Sequence, residues 1–359
     1  MTPADPHDAP PAAPVPPAPP GLKPGFRVVR TDRELTMDRT DATLRAWGAD
    51  LRLLPDGTAQ DQLAAELAEA ELLLMCYARI SRPVLHGAPR LKAIVKYGVG
   101  IDAIDLEAAR ELGIPVVNVP AYAEDTVAEG AFALLMALFK RLRPIHQAMQ
   151  SQGWIWPEPA WLAHDLAGKT LALVGLGRIG RRVAQMAQAF RMTVLGHDPH
   201  LAPADWPSGV ERCAQLEPMI ARCDALSLHC VLNAQTRHLI GREQLALLRP
   251  HALLVNVSRG ELIDESALLP LLLERRIAGA ALDVYAQEPL ARQGHPLSPL
   301  YALDHVLLWP HLSFFTHEAL ARLEHETLLR CHEALSGQPL SVASQDPRLR
   351  AQTRGVRFV

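Results

Sequence analysis

The sequence predicts an α/β protein built on parallel sheets. Three observations carry that prediction. Short, continuously apolar runs recur along the chain, helical patterns separate them, and one run ends in a glycine-rich turn that opens a helix. Strands read as continuously apolar, rather than alternating, when helices cover both faces of their sheet. The chain has 359 residues, more than one hydrophobic core usually holds, so two domains are expected.

In chain order, FRVVRT (26–31), ELLLMCY (71–77), LKAIVKYG (91–98) and IPVVNVP (114–120) read as strands. A helical pattern containing Gln62-Leu63 and Glu66-Leu67 lies between the first two, and LEAARELG (106–113) is a short helix stopped by Gly113. A long helix is expected from Thr126 to Arg143, with Thr126 or Asp125 as its cap and Glu129 in its first turn. It is apolar nearly all round, as a helix buried between layers is. From Gly168 the alternation is cleaner. TLALVGLG (170–177) is strand and turn, RRVAQMAQAF (181–190) is a helix, and MTVLGHD (192–198) is the next strand. ALSLHCV (225–231), ALLVNVS (252–258), GAALDVY (279–285) and HVLLWP (305–310) follow as strands. A second long helix runs from Thr316 to Leu335 and stops at Gly337.

Composition narrows the function classes. Hydrophobic residues make up 49% and charged residues 21%, as in ordinary globular proteins. The formal charge of -3 offers no basic field for nucleic acid. No 18-residue apolar run suggests a membrane span; the candidate from Ala131 to Phe139 is short and is followed by Lys140 and Arg141. Of the 30 prolines, ten fall in the first 24 residues, so residues 1–24 are expected to be an extended tail. That stretch lacks the cationic start and apolar core of a signal peptide. The five cysteines (76, 213, 223, 230 and 331) form no CxxC pair and are expected to be free thiols, which fits a reducing cytoplasmic compartment. No HExxH occurs, and no metal site is expected.

Gly175-Leu176-Gly177-Arg178-Ile179-Gly180 is GxGxxG. It follows an apolar strand directly and opens an amphipathic helix, the context in which this pattern binds a dinucleotide. Gly175 permits the tight turn, Gly177 lets the backbone approach a pyrophosphate, and Gly180 allows close packing of helix on strand. The helix N-terminus offers free N–H groups to the phosphates. Asp198 ends the next strand, where a carboxylate accepts hydrogen bonds from ribose hydroxyls and repels a 2′-phosphate, so NAD is expected rather than NADP. His197 and His200 flank it.

Three further residues stand just past expected strands: Arg259, Glu288 and His311. In open α/β sheets ligands bind beyond the carboxyl ends of strands, which puts all three on the edge that carries the glycine-rich turn. Their chemistry is compatible. Carbonyl reduction needs a proton donor that titrates near working pH, a carboxylate beside it favours imidazolium, and a guanidinium grips a carboxylate or carbonyl oxygen.

With Tyr97-Gly98-Val99-Gly100-Ile101-Asp102, Asn118-Val119-Pro120, Val127-Ala128-Glu129, Asn256–Gly260, Ala281–Pro289 and Pro310-His311 added, the sequence from about 70 to 340 resembles the D-isomer-specific 2-hydroxyacid dehydrogenases. The resemblance implies two doubly wound parallel-sheet domains, a Rossmann coenzyme domain inserted into a flavodoxin-like substrate domain. The substrate domain would comprise 25–118 and 310–342, the coenzyme domain 119–309, and 343–359 a C-terminal tail. His311 would be the acid/base, Glu288 would tune it, and Arg259 would hold the substrate carboxylate, joined by the backbone N–H groups of Val99 and Gly100. Asp283 would contact the nicotinamide amide, with Ser258 and Thr126 also beside the coenzyme. The resemblance further implies a homodimer joined through the coenzyme domain. Arg79 is a candidate for a phosphate or second carboxylate, or a solvated surface residue.

Two departures stand out. Gly130 occupies a position where the family commonly carries His, a change expected to touch no catalytic group. Leu312-Ser313-Phe314-Phe315-Thr316 replaces a small-residue stretch, so Phe314 or Phe315 either lines the substrate pocket or packs the wall. No separate regulatory amino-acid-binding domain is expected within 359 residues. Two other readings stand beside the dehydrogenase: an NAD(H)-sensing dimeric corepressor-like protein, and oxidation of a different small oxyanion on the same scaffold.

Overall fold

A computed structural model describes residues 14–359, so most of the expected tail 1–24 lies outside the described residues. The chain forms two compact units. One comprises the chain up to Tyr122 together with Thr316–Val359; the other is Ala123–Phe315.

The first unit is organised by a parallel sheet of β1 (Arg27–Arg30), β2 (Asp50–Leu53), β3 (Leu72–Met75), β4 (Ala93–Lys96) and β5 (Val116–Asn118), in the order β2-β1-β3-β4-β5. This is the flavodoxin-like order. β3, β4 and β5 are buried along their whole length, as their apolar runs require. β2, DLRL, was not expected: it is polar and half-exposed at the sheet edge, so it carries no apolar run. The helix His317–Leu335 packs on β3, β4 and the helix Asp38–Ala46. Beneath that contact Arg30, 1% exposed, grips Asp41 through two bonds, from Nε to Oδ1 at 2.8 Å and from Nη2 to Oδ2 at 2.9 Å.

The second unit holds a seven-stranded parallel sheet. Its strands are β6 (Thr170–Val174), β7 (Thr193–His197), β8 (Val210–Arg212), β9 (Ala225–Leu228), β10 (Leu253–Asn256), β11 (Gly279–Leu282) and β12 (Val306–Leu308), in the order β12-β11-β10-β9-β6-β7-β8. Both faces are buried. Leu171, Leu173, Leu253 and Val255 point into one apolar cluster, while Ala172, Val174 and Leu254 point into another. The order reverses between β6 and β9, which opens a crevice at their carboxyl ends.

Three expectations need correction. The long helix does not reach Arg143: it spans Glu124–Phe139, and after Arg141, whose φ of 51° is left-handed, a separate helix runs Leu142–Gln152. The boundary of the second unit lies after Phe315, not Trp309, because β11 holds the following segment; the His311 N–H donates to the Asp283 carbonyl at 2.8 Å. Residues 343–359 are no tail. β13 (Leu340–Val342) pairs with β14 (Val356–Phe358), and the Gln352 amide bonds both the N–H and the carbonyl of Val116 on the edge strand β5, at 2.7 and 2.9 Å. Satisfying an open sheet edge is a structural task that polar sequence conceals.

Removing one partner of a buried ion pair strands the other charge. Asp41→Ala is therefore expected to lower unfolding stability by about 3–5 kcal/mol, measured by chemical denaturation; an effect below about 1 kcal/mol would show that the pair is not buried as described.

Candidate active site

The site in the second unit is built from strand ends. Because every strand is parallel, the residues after β6, β9, β10, β11 and β12 emerge on one edge. They are the glycine-rich turn, His229-Cys230, Ser258-Arg259, Asp283 and His311.

Packing explains the glycines. Gly175 has φ of 90°, and a Cβ there would lie 2.6 Å from the Cys230 nitrogen. A Cβ on Gly180 would lie 2.1 Å from the Gly175 carbonyl oxygen, and one on Gly260 would lie 2.0 Å from the Tyr285 carbonyl carbon. Gly177 instead faces open space. No side chain caps the helix Arg178–Ala189 that it starts, so the first N–H groups are left for a ligand. A cavity of about 400 Å³ opens there, lined by Leu176, Gly177, Arg178, Arg181 and Asp198 among others. Asp198 is fixed by the N–H groups of Leu176 at 2.9 Å and His200 at 3.1 Å. Uncapped helix end, bare Gly177 and fixed carboxylate fit the pyrophosphate and ribose of a dinucleotide. Arg178 pairs with Glu124 at 3.3 Å, and Arg182 pairs with Asp125.

The expected catalytic residues come together. His311 Nδ1 lies 2.9 Å from Glu288 Oε2, while Glu288 Oε1 accepts the Tyr285 N–H at 3.0 Å. Burial pushes the Glu288 carboxyl up, but the hydrogen bond and charge of His311, the Tyr285 N–H and the Arg259 guanidinium outweigh it and hold the carboxyl below the usual range. Gly260 brings the Arg259 loop against Tyr285 and Ala286, just before Glu288. Arg259 Nη1 donates to the Ser258 carbonyl at 2.6 Å, and Ser258 Oγ donates to the Cys230 carbonyl at 2.6 Å, tying β10 to β9.

Asp283 has a different visible task from the one the resemblance implied. It is wholly buried, and its oxygens accept the N–H groups of Leu312 at 2.8 Å and Ser313 at 3.0 Å. Those bonds hold His311 at φ of 58°, a left-handed conformation that is uncommon outside glycine. Gly130 belongs to the same assembly: a Cβ there would lie 3.0 Å from the Ser313 Cβ, so the glycine leaves room for the segment that follows His311, and it meets neither Arg259, Glu288 nor His311. Phe314 is buried with its ring edge-on to His311, centroids 6.4 Å apart, whereas Phe315 is exposed. Thr126 is buried in the first turn of its helix, and Ile179 is half-buried in the turn after Gly177.

In the first unit, Val99 is exposed and Asn118 Nδ2 donates to its carbonyl at 2.6 Å. Arg79 lies on the surface. Sequence reasoning missed Asn118, Lys96 and His229. Lys96 had a signal, a lone charge ending a continuously apolar strand.

The sequence profile described as "D-isomer specific 2-hydroxyacid dehydrogenase, NAD binding domain" matches residues 132–313. The chain belongs to the D-isomer-specific 2-hydroxyacid dehydrogenase family. It is 39% identical over 265 residues to a D-3-phosphoglycerate dehydrogenase of Methanocaldococcus jannaschii, covering 73% of this chain and 49% of the relative. It is 36% identical over 272 residues to a glyoxylate reductase of Thermococcus litoralis, covering 74% and 80%. The chain thus spans about half of the phosphoglycerate dehydrogenase and most of the reductase. The structure of an Aquifex aeolicus D-lactate dehydrogenase with NAD and lactic acid matches at 28% identity with a TM-score of 0.77, covering 86% of this chain and 96% of that one. NAD is the coenzyme of this family member.

His229, at the end of β9, gives the site a pH signature. Burial alone pushes its imidazole down to about 4; Nε2 meets Ser227 Oγ at 2.8 Å and Nδ1 has no partner. Between about pH 6.5 and 4 the unfolded chain protonates this group and the folded chain does not, so stability falls as pH falls across that window. Wild type is expected to lose about 3 kcal/mol more than His229→Gln between pH 7 and 4, measured by urea denaturation; equal losses would refute the assignment.

Proposed function

We propose that the protein interconverts a small D-2-hydroxy acid and its 2-oxo acid, with His311 as acid/base, Glu288 tuning it and Arg259 binding the substrate carboxylate. The observation that carries this reading is the His311–Glu288 pair at 2.9 Å, on the strand edge that also presents Arg259 and the coenzyme turn. NAD, when bound, takes up or supplies the hydride. Gly175, Gly177, Arg178, Ile179, Gly180, Asp198, Ser258 and Thr126 would hold it, while Asp283 acts by fixing the loop of His311. In the reducing direction the imidazolium of His311 donates its Nε2 proton to the substrate oxygen; in the oxidising direction the neutral ring accepts it. The groups that lower the Glu288 pKa outweigh its burial, so the side chain is a carboxylate at neutral pH, and its contact with Nδ1 orients the ring so that Nε2 faces the substrate oxygen. Arg259 neutralises the substrate carboxylate and orients the carbonyl. In the first unit, the N–H groups of Val99 and Gly100 are proposed as carboxylate donors, and Asn118 holds their loop by its bond to the Val99 carbonyl.

We also infer a homodimer through the coenzyme unit, in the cytoplasm. Trp154 and Trp156 are 71% and 76% exposed, with Leu142, Met149 and Leu162 bare in the same stretch. Apolar surface of this kind marks an interaction face. The five cysteines are all free thiols, as in reducing compartments. No helix among the described residues is long and apolar enough to cross a membrane.

Oxidation of NADH is expected with at least one of glyoxylate, pyruvate, hydroxypyruvate, 2-oxobutyrate and phenylpyruvate. His311→Ala should lower kcat by about 10²–10⁴-fold in stopped-flow or steady-state assays; unchanged turnover would refute the role of His311. Sedimentation velocity should give a dimer for wild type and a monomer for the Trp154→Ser, Trp156→Ser double variant. A monomeric wild type would refute the dimer.

A further inference from the structure

Glu288 sits on a loop that little packing holds. Every residue from Ala286 to Pro296 is exposed or half-exposed except His295, which is 6% exposed. Segments with so few apolar contacts open most readily, yet the Glu288 carboxylate meets His311 Nδ1 at 2.9 Å. Hydrogen bonds pin the loop instead. Glu265 Oε1 accepts the Ala286 N–H at 2.8 Å, the Tyr301 hydroxyl donates to the Leu290 carbonyl at 2.9 Å, and the Ser298 hydroxyl donates to the Ala291 carbonyl at 3.0 Å. None of these bonds touches the peptide unit that joins Gln287 to Glu288. That unit is held by His295.

The His295 imidazole is bonded at both ring nitrogens. The Leu297 nitrogen lies 3.0 Å from Nδ1, and Nε2 lies 3.0 Å from the Gln287 carbonyl oxygen. A backbone N–H only donates, so Nδ1 accepts; the neutral ring then carries its proton on Nε2, which donates to the carbonyl. The turn at Leu297 thereby selects the one neutral tautomer that can grip the loop. That turn is itself anchored, because Leu297 and Leu300 belong to an apolar cluster of the second unit and are 1% and 0% exposed. The Gln287 carbonyl shares a planar peptide unit with the nitrogen and Cα of Glu288. Fixing that oxygen fixes the direction in which the chain enters Glu288, and so the point from which the carboxylate reaches His311.

We propose that His295 is a positioning residue for the His311–Glu288 pair: through its Nε2–H it carries the rigidity of the Leu297 turn to the Gln287–Glu288 peptide and sets the Glu288 carboxylate against His311. This rests on the dehydrogenase reading, in which Glu288 orients the His311 ring, and it adds the group that orients Glu288. In the sequence His295 reads as one more loop residue between Gly294 and Pro296. Its task follows from being buried and bonded at both ends.

Two substitutions separate the ends of the ring. In His295→Asn the amide oxygen stands near the place of Nδ1 and keeps the Leu297 bond, but the side chain is too short for Gln287. In His295→Gln the amide nitrogen extends toward the place of Nε2 and keeps the Gln287 bond. His295→Asn should lower kcat about 10–100-fold, the effect of a small misplacement near the reacting atoms, with KM little changed. His295→Gln should restore most of that loss. Added to Glu288→Gln, His295→Asn should cost nothing further, because a residue that acts through another loses its effect once the other is gone. Equal losses in the two backgrounds, or a Gln variant as impaired as the Asn variant, overturn the proposal. A second arm needs no turnover. Nitrogen-15 NMR of histidine-labelled wild type should show His295 protonated at Nε2, and the His311 ring shifts in His295→Asn should move toward those in Glu288→Gln. A His295 ring protonated at Nδ1, read on wild type whether or not the variants fold, overturns the proposal, as do His311 shifts that stay unchanged in the Asn variant. If no 2-oxo acid is reduced, the dehydrogenase reading fails while the NMR arm still decides whether His295 positions Glu288.

Discussion

Asp283 sits at the carboxyl end of β11 with no exposure, and its two oxygens close on the N–H groups of Leu312 and Ser313. A buried carboxylate is tolerated only when donors replace water around it. Here the donors belong to the segment that leaves β12, so the bonds that satisfy the charge also set the path of that segment. His311 is held in a left-handed conformation, Ser313 is seated against Gly130, and the imidazole reaches Glu288. Strain at His311 persists because the carboxylate over-determines its neighbours. The His311–Glu288 pair, the glycine in the neighbouring helix and the limit of the unit after Phe315 all follow from this one interaction.

The parallel sheet supplies the second constraint. It gathers the ends of β6, β9, β10, β11 and β12 on one edge, and glycines let those ends approach within backbone contact. Gly175 against Cys230, Gly180 against Gly175, and Gly260 against Tyr285 are places where a methyl group has no room. The glycine-rich turn and the loops that carry Arg259 and Glu288 are thus parts of one packed surface.

Much of this was legible in the sequence, where burial writes itself as apolarity. β3, β4, β9, β10 and β11 are buried throughout and β6 from its second residue on, and their runs announce them. β2 and β8 are polar edge strands and left no such trace. Gln352 shields β5 with an amide, which reads as surface polarity until its partner is seen. Arg141 breaks a helical pattern by adopting a left-handed conformation, a choice composition does not reveal. Arg259, Glu288 and His311 were singled out because each stands just past an apolar strand and their side-chain chemistries are compatible; the 2.9 Å contact of His311 with Glu288 is what the structure adds. The supports, Asp283 turned onto backbone and Asn118 holding Val99, depend on contacts distant in sequence and became visible only in three dimensions.

The discontinuous unit also has a kinetic side. Its sheet is synthesised first, yet the helix His317–Leu335 that covers β3 and β4 follows only after about 190 further residues. At ribosomal rates that interval is on the order of 10–40 s. Throughout it, one face of β3 and β4 lacks this helix while the inserted unit is completed. The nascent protein therefore passes through a long window in which one apolar face of a half-built sheet is open to other chains, and folding helpers that shield apolar strands have work to do there.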